Sequence, residues 1–284
     1  MPASPSSSAQ AAREAVGRRL KELRQDAELT VVELADRCGW HYAKTSRVEN
    51  ARTAPSVADI RAWCQACGAD DQAEALIAAS RNAESVYTEW RTQVRAGLKA
   101  LQGMEPRLFQ DTRLFRVYSS SLVPGLLQTE GYAAGVLGIS ARFRRIPVDD
   151  SAEAARARVE RSRVIQKPGR QCVFVIEEAA LRYQVCDAEA MAAQLGYLMT
   201  AGALPQISLG IVPMSAPPRE QWPRETFHVY DDRLVSVELV SARVRINQPA
   251  EIALYLTAFE ELRAMAVYGA EARALIVKAI DALG

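Results

Sequence analysis

The most constraining feature of the 284-residue sequence is a short helix whose two ends are both marked. Thr30 is a good N-cap residue, and Glu33 three positions later completes the Thr-x-x-Glu pattern of a capping box. Gly39 can end this helix, because glycine adopts the left-handed conformation that commonly follows a helix C-terminus. Another short helix is predicted from about Tyr42 to Asn50, so the sequence indicates two short helices joined by a tight turn.

The residues around the turn fit a close crossing of these two helices. Ala35 is small enough for the helices to approach each other, and Leu34 and Val48 can face one core from the two sides. Trp40 can cover the turn. The outer face of the second helix then remains free, which is how a helix-turn-helix places its second helix in the major groove of DNA.

Further helices are predicted on both sides of this pair. Apolar residues at i, i+4 and i+7 indicate an amphipathic helix over about 11–26, Ser56 can cap a fourth helix, and a fifth covers about 71–80. Residues 13–82 are therefore expected to form an all-α domain of five helices. Residues 1–12 are rich in Ser, Pro and Ala and lack an apolar stretch, which predicts a disordered leader and not a signal peptide.

The outer face of the second helix carries basic and hydrogen-bonding side chains, and Glu49 is the only acidic residue in that segment. Because the N-terminal residues of a recognition helix usually reach base edges, His41, Tyr42 and Lys44 are candidates for direct readout. Ala43 can touch a thymine methyl group. The candidates for phosphate contacts are Thr30 at the preceding helix N-terminus, Arg47, Asn50 and Arg52.

This region resembles the Xre-type (lambda-repressor-like) helix-turn-helix family over residues 14–80. The positions that carry the resemblance are Leu23-Arg24, Leu29-Thr30, Glu33-Leu34-Ala35, Gly39, Ser46-Arg47-Val48-Glu49 and Pro55-Ser56. The resemblance implies a five-helix bundle that binds specific duplex DNA; another nucleic acid, or a purely structural bundle, remains an alternative. Two positions depart from the family, since Val31 replaces a frequent Gln and Thr45 replaces the usual Ile or Val.

The remaining residues, 83–284, mix strands and helices, which predicts an α+β domain with a mixed sheet and helices. The order strand 172–176, helix 187–201, strand 207–212 favours a parallel pair with a right-handed crossover. Residues 227–230 and 234–240 indicate a hairpin. The other elements are a short strand at 113–118 and helices near 84–101, 129–138, 149–166, 248–268 and 270–282.

Two stretches of this second domain, 122–132 and 175–182, resemble the large domain that follows Xre-type modules in regulators of high-GC Gram-positive bacteria. The domain has no settled biochemistry. The resemblance implies a genetic context, because such regulators often lie beside a gene for a small partner protein. These pairs are similar to antitoxin–toxin or repressor–antirepressor systems.

We predict no catalytic, cofactor-binding or metal-binding site in the chain. Glu177 and Glu178 are adjacent on an extended segment and should point to opposite sides, with Arg182 as a nearby ion-pair candidate. Cys64 and Cys67 form a CxxC inside a predicted helix. Because no second ligand pair exists, we expect buried free thiols, with metal or redox chemistry as the alternative.

Two segments have no assigned role from the sequence. The basic stretch Arg142–Arg170 fits a solvated helix face, and an acidic partner protein or flanking DNA backbone are its alternatives. The segment Pro213–Pro223 contains four prolines and Trp222, and such a loop can form a lid or contact a partner.

The sequence as a whole therefore predicts a cytoplasmic transcription regulator, a repressor or an activator. We expect it to bind double-stranded DNA as a homodimer on a palindromic operator, under control of a small partner protein or ligand. One alternative is an antitoxin-like protein that neutralises a small partner and binds DNA only for autoregulation. Another is a DNA-tethered enzyme acting on a small molecule. No apolar run approaches the roughly 20 residues that span a bilayer, so no membrane partner is expected.

Overall fold

A computed structural model describes residues 7–89, 97–104, 106–146, 149–215 and 219–283. The chain divides into two compact units. The first contains Met1–Thr88 and Arg243–Arg245, and the second contains Glu89–Ala242 and Ile246–Gly284. Residues 1–6 of the predicted leader lie outside the described residues, and the first helix begins at Ser7.

The N-terminal unit has the five predicted α-helices. They are α1 (Ser7–Asp26), α2 (Val31–Cys38), α3 (Tyr42–Glu49), α4 (Val57–Cys67) and α5 (Ala73–Val86). Capping residues fix their ends, because α2 and α4 each begin with a complete capping box and end at a left-handed glycine, Gly39 (φ 70°) and Gly68 (φ 68°). Leu20, Leu34 and Trp63 are fully buried at the centre of the unit. The helix-turn-helix therefore rests on an apolar core of its own.

The C-terminal unit combines a sheet with helices, as the sequence predicts. Its helices are α6 (Leu98–Gln102), α7 (Pro106–Asp111), α8 (Glu130–Arg144), α9 (Ser151–Ser162), α10 (Ala188–Ala201), α11 (Pro249–Ala264) and α12 (Gly269–Asp281). A three-residue strand, β1 (Tyr87–Glu89), precedes them. The strands of the unit's sheet are β2 (Leu114–Ser119), β3 (Gln171–Glu177), β4 (Ile207–Val212), β5 (Phe227–Tyr230) and β6 (Leu234–Glu238). Strand β7 (Ala242–Ile246) has its central residues, 243–245, in the first unit.

The strands of this unit form a mixed sheet in the order β6-β5-β2-β3-β4. Strands β2, β3 and β4 are parallel, with Val117 opposite Phe174, and Phe174 opposite Leu209. Strand β5 runs antiparallel to β2 and to β6. The predicted parallel pair and the predicted hairpin are both confirmed. The carboxyl ends of β2, β3 and β4 meet at one edge, where Ser119, Glu177 and Val212 end their strands.

The prediction of one helix over residues 84–101 is wrong. Helix α5 ends at Val86, residues 87–89 are a strand, and residues 90–96 lie outside the described residues. Helix α6 begins only after Gly97, whose φ of 89° is incompatible with a helix interior. The Asp150 carboxylate accepts hydrogen bonds from the N–H groups of Leu98 (3.0 Å) and Lys99 (2.9 Å), so a residue distant in sequence determines where α6 starts. No helix in the described part of the chain is long and apolar enough to cross a membrane.

Candidate nucleic-acid interface

Helix α3 packs against the N-terminal unit along one side only. Thr45 is fully buried and Val48 is 2% exposed. Ala43, Arg47 and Asn50 are spaced by four and three residues, so they share a face, and this face lies opposite the buried pair. The sequence pattern therefore leaves one side of α3 open to solvent.

A buried ion pair fixes the C-terminal end of α3. The Glu49 carboxylate receives two hydrogen bonds from Arg24 of α1, at 2.5 Å from Nε and 3.2 Å from Nη2. Arg24 also donates to the carbonyl of Leu29 at 2.6 Å, and both charged side chains are at most 10% exposed. Two hydrogen bonds between one guanidinium and one carboxylate fix the relative orientation of the two side chains. The only acidic side chain of α3 is thus neutralised inside the unit, so its charge does not oppose a phosphate backbone.

A close crossing of α1 and α3 lies beside this ion pair. A Cβ atom at Gly17 would lie 2.8 Å from the carbonyl oxygen of Val48 and 2.9 Å from that of Glu49. Real Cβ atoms do not approach oxygen so closely, so the crossing distance requires glycine at this position. Gly17 is a positioning residue for α3 that the sequence analysis did not identify.

Lys44 holds the N-terminal half of α3 and does not lie on its open face. Its Nζ donates to Asp59 Oδ1 of α4 at 2.5 Å and lies 4.4 Å from the centroid of the Trp40 ring. Asp59 is the fourth residue of the Ser56-x-x-Asp59 capping box of α4. Among the ion pairs of the described residues, Lys44 is the predicted site residue that takes part.

Trp40 covers the turn, as the sequence predicts, and also forms a polar contact there. Its indole Nε1 donates to the hydroxyl of the buried Thr45 at 2.9 Å. This hydrogen bond explains the residue that departs from the usual Ile or Val at position 45. The hydroxyl has a donor, so its burial does not leave a polar group unsatisfied.

The remaining α3 candidates lie at or beside the open face. His41 is the N-cap, with Nδ1 accepting from the Ala43 N–H at 3.2 Å, and its ring lies 4.4 Å from that of Tyr42. Tyr42 is 54% exposed. A neutral His41 in this arrangement carries its proton on Nε2, which leaves one donor available. His41 and Tyr42 together extend from the N-terminal end of α3.

Three candidates lie at the C-terminal end of α3. Asn50 caps the helix and its amide donates to the Ser46 carbonyl at 2.7 Å. Arg47 and Arg52 are exposed, and within the described ranges neither guanidinium has a hydrogen-bonding or ion-pair partner. These two side chains supply the uncommitted positive charge of this region.

Thr30 is at the N-terminus of α2, and both of its polar groups are used there. Its hydroxyl accepts from Glu33 N at 3.2 Å, and its N–H donates to the Glu33 carboxylate at 2.7 Å. The hydroxyl and N–H of Thr30 hold the pKa of the Glu33 carboxyl below its ordinary value. An ionised carboxylate therefore lies beside the predicted phosphate contact at Thr30.

The structure places Glu177 and Glu178 in separate contacts at the carboxyl edge of the sheet. Glu177 is 4% exposed and accepts from the Tyr118 hydroxyl (2.8 Å) and from both terminal nitrogens of Arg219 (2.6 and 2.9 Å). Glu178 accepts from Arg182 at 2.7 Å, which confirms that predicted pairing, and from the Met214 N–H at 2.9 Å. The two carboxylates thus hold Met214 and Arg219, two residues of one loop.

That loop is the described part of the Pro213–Pro223 segment; residues 216–218 lie outside the described residues. Its far end is also held, since Arg224 lies 3.9 Å from the centroid of the Trp222 ring and donates to Gln221 at 2.7 Å. Trp222 and Met214 are nevertheless 63% and 66% exposed. The described parts of the loop therefore present two large apolar side chains to solvent.

Much of the predicted basic stretch at 142–170 supports the fold of the C-terminal unit. Arg158 donates to Gln102 and Gln128, and Arg161 donates to the Gln102 carbonyl and lies over the Phe109 ring. Arg170 donates to the carbonyls of Phe109, Gln110 and Thr112. The positive charge of these three side chains is therefore directed into intramolecular contacts and not presented as one exposed patch.

The five cysteines are free thiols. Burial raises the pKa of the Cys38 and Cys67 thiols to about 11, which disfavours the reactive thiolate. Within the described ranges, no group of three His, Cys, Asp or Glu side chains could hold a metal ion.

Fold and site together define a helix-turn-helix protein with a second domain built on a mixed sheet. A family model for a helix-turn-helix domain matches residues 15–76, the region of α1 to α5. A second, the domain of unknown function DUF5753, matches residues 110–278, which is more than half of the chain. The chain therefore belongs to the DUF5753 family. Comparison with curated proteins finds no match.

Proposed function

We propose that the chain is an Xre-type, sequence-specific transcription regulator that inserts α3 into the major groove of duplex DNA. The observation that carries the proposal is the charge arrangement of α3. Its one carboxylate, Glu49, is neutralised by the buried Arg24, while Arg47 and the nearby Arg52 remain exposed and uncommitted. A helix with this face suits a groove lined by phosphates.

The positions of the exposed side chains support two kinds of DNA contact, to base edges and to phosphates. Tyr42, Ala43 and Arg47 follow the open face of α3, which supports contacts to base edges, where arginine pairs with guanine O6 and N7. Asn50 and Arg52 lie beyond the helix end and suit phosphate contacts. His41 contributes through Nε2, because its Nδ1 is used in the N-cap. The cap and Glu33 make Thr30 the weakest of the phosphate candidates.

The C-terminal unit in this proposal is the regulatory part, and no catalytic step is assigned to it. We propose that it supports a homodimer on a palindromic operator and receives a small partner protein or ligand in the cytoplasm. The exposed Trp222 and Met214 support a partner-binding role, since large aromatic side chains are common anchors of interfaces. The action of a repressor follows if the operator overlaps the promoter of the regulated gene.

The experiment is a genome-wide binding assay with the full-length protein, followed by gel shifts on the strongest site. The test variant is Arg47→Ala, and the matched control is Arg233→Ala, which removes the same charge from an exposed turn of the other unit. We expect Arg47→Ala to lose roughly 5- to 150-fold in affinity, the range of a single base contact, and Arg233→Ala to bind normally. Wild-type protein that binds no DNA even at low salt would overturn the proposal.

A further inference from the structure

We propose that Lys44 is a positioning residue that sets the angle of α3 by bridging to α4, and that it does not itself contact the DNA. This inference rests on the proposed function, because it concerns how α3 is presented to the groove. The position of Lys44 near the N-terminus of α3 predicts base readout. The inference assigns Lys44 a positioning role instead.

The contacts of Lys44 are all directed away from the open face of α3. Its ammonium group is held between the Asp59 carboxylate at 2.5 Å and the Trp40 ring at 4.4 Å. The side chains of Lys44 and Asp59 are 33% and 16% exposed. A lysine that moved to a base or a phosphate would leave the Asp59 carboxylate half-buried without its cation, and this opposes the movement.

Asp59 is a rigid anchor for this bridge. Its Oδ2 accepts from the Ser56 N–H at 3.0 Å, and its own N–H donates to the Ser56 hydroxyl at 3.1 Å. Burial raises the pKa of the Asp59 carboxyl, but the hydrogen bonds from Lys44 and Ser56 outweigh this and hold the pKa below its ordinary value. Because the capping box fixes the Asp59 side chain, the bridge connects α3 rigidly to the first turn of α4.

The Lys44 bridge complements the ion pair at the other end of the helix. Arg24 of α1 holds Glu49, and Asp59 of α4 holds Lys44, so two different helices fix the two halves of α3. A helix of eight residues anchored at two points has a defined tilt. Loss of either anchor allows α3 to rotate about the other, which changes how every side chain on its open face meets the groove.

The test compares Lys44→Met, Asp59→Asn and the double variant in the full-length protein on the strongest operator. Asparagine at position 59 can still accept the Ser56 N–H, so the α4 cap is retained while the charge is lost. We expect each single variant to lose affinity by a similar factor, roughly 5- to 30-fold, and the double variant to lose no more than either. Lys44→Arg retains a cation and should recover most of the affinity.

The salt dependence of binding separates positioning from contact. Removal of a phosphate contact lowers the slope of log K against log[salt] by about 0.9, whereas loss of a positioning residue leaves the number of neutralised phosphates unchanged. We expect Lys44→Met to keep the wild-type slope. Arg52→Met is the control for a phosphate contact and should reduce the slope. Hydrogen exchange of the α3 amides verifies that each variant is folded.

Three results would overturn the inference. A reduced salt slope for Lys44→Met would identify a phosphate contact. A relaxed preference at a single base pair for Lys44→Met, with Asp59→Asn unchanged, would identify a base contact. Tighter binding by Asp59→Asn would mean that the carboxylate withholds Lys44 from DNA. Failure of the wild type to bind any DNA is a different outcome, because it overturns the proposed function from which this inference starts.

Discussion

At the scale of single residues, one of the two buried side chains of α3 is polar. Thr45 is fully buried, and its hydroxyl accepts the hydrogen bond of the Trp40 indole at 2.9 Å. Valine has the same shape without the acceptor. An apolar residue at position 45 is therefore not expected to stabilise the unit, because the half-buried indole N–H of Trp40 would lose its acceptor.

We predict that Thr45→Val destabilises the N-terminal unit by about 1–2 kcal/mol, the cost of leaving one donor unsatisfied. The control is Thr53→Val, at an exposed position where the hydroxyl has no hydrogen bond in the described structure. Urea unfolding of the full-length protein, with hydrogen exchange to assign the transition to α1–α5, measures both. Equal stability of Thr45→Val and wild type would show that the indole finds another acceptor.

At the scale of elements, the crossing of α1 and α3 depends on one glycine. We predict that Gly17→Ala destabilises the N-terminal unit by about 1–3 kcal/mol, because its Cβ would meet two carbonyl oxygens of α3 within 2.9 Å. The matched control is Gly196→Ala in α10, where no heavy atom lies within 4 Å of the added Cβ. There the better helix propensity of alanine should stabilise the protein by up to about 1 kcal/mol.

The same chemical change should therefore have opposite signs at two helical glycines of one chain. Hydrogen exchange of the α3 and α10 amides measures the two effects separately. If Gly17→Ala proves neutral, α3 can shift away from α1 without cost, and the two-anchor description of the helix would be contradicted.

The loop at the carboxyl edge of the sheet should respond to acid through Glu178. Burial raises the pKa of this carboxyl, but the Met214 N–H and Arg182 outweigh it, so the folded pKa is below the unfolded value. Such a group stabilises the folded state above the unfolded pKa of about 4.3, and this contribution is lost as pH falls through the folded pKa.

We therefore predict that Glu178→Gln destabilises the C-terminal unit at pH 7, and that the difference from wild type shrinks steadily below about pH 4.3. Urea unfolding of both proteins between pH 7 and pH 3 measures this difference. Glu220→Gln, at an exposed residue of the same loop, serves as the control and should show little effect at any pH. A difference that is independent of pH would mean that the Glu178 contacts do not require its charge.

The elements that could be predicted from sequence are those whose ends carry local signals. Helices α2 and α4 each begin at a capping box, at Thr30 and Ser56, and end at a glycine, at positions 39 and 68. Each signal involves only residues next to the helix end that it marks. The start of α6 could not be predicted in this way, because it depends on Asp150, a residue more than 50 positions away. Local patterns specify helix ends, whereas distant side chains decide where a continuous helical pattern is interrupted.

The same distinction explains the candidate site. The open face of α3 and the exposure of Tyr42 and Arg47 follow from helical spacing alone. The commitment of Lys44 to Asp59 does not, since it requires α3 and α4 to be packed together first. The sequence did contain one signal for this pair. The Ser56-x-x-Asp59 capping box places an aspartate at the start of the next helix, within reach of a lysine on α3.

At the scale of the whole molecule, a net charge of +1 provides no general attraction to DNA. Affinity must come from a local surface, and the open face of one eight-residue helix reads only a few base pairs. A second copy of α3 on the same DNA would double both the base contacts and the neutralised phosphates. The proposed dimer would therefore supply binding energy as well as match the symmetry of a palindromic operator.

We predict that the full-length protein binds a palindromic operator as two copies, with half-sites about 34 Å apart or a multiple of that spacing. Light scattering at micromolar concentration should give a dimer, and the DNA complex should contain two chains. A duplex shortened to one half-site should bind more weakly and with about half the salt slope, because the phosphates that the second copy of α3 would neutralise are then absent. Only monomer in solution together with one chain per operator would contradict the prediction, and recognition would then have to come from contacts outside α3.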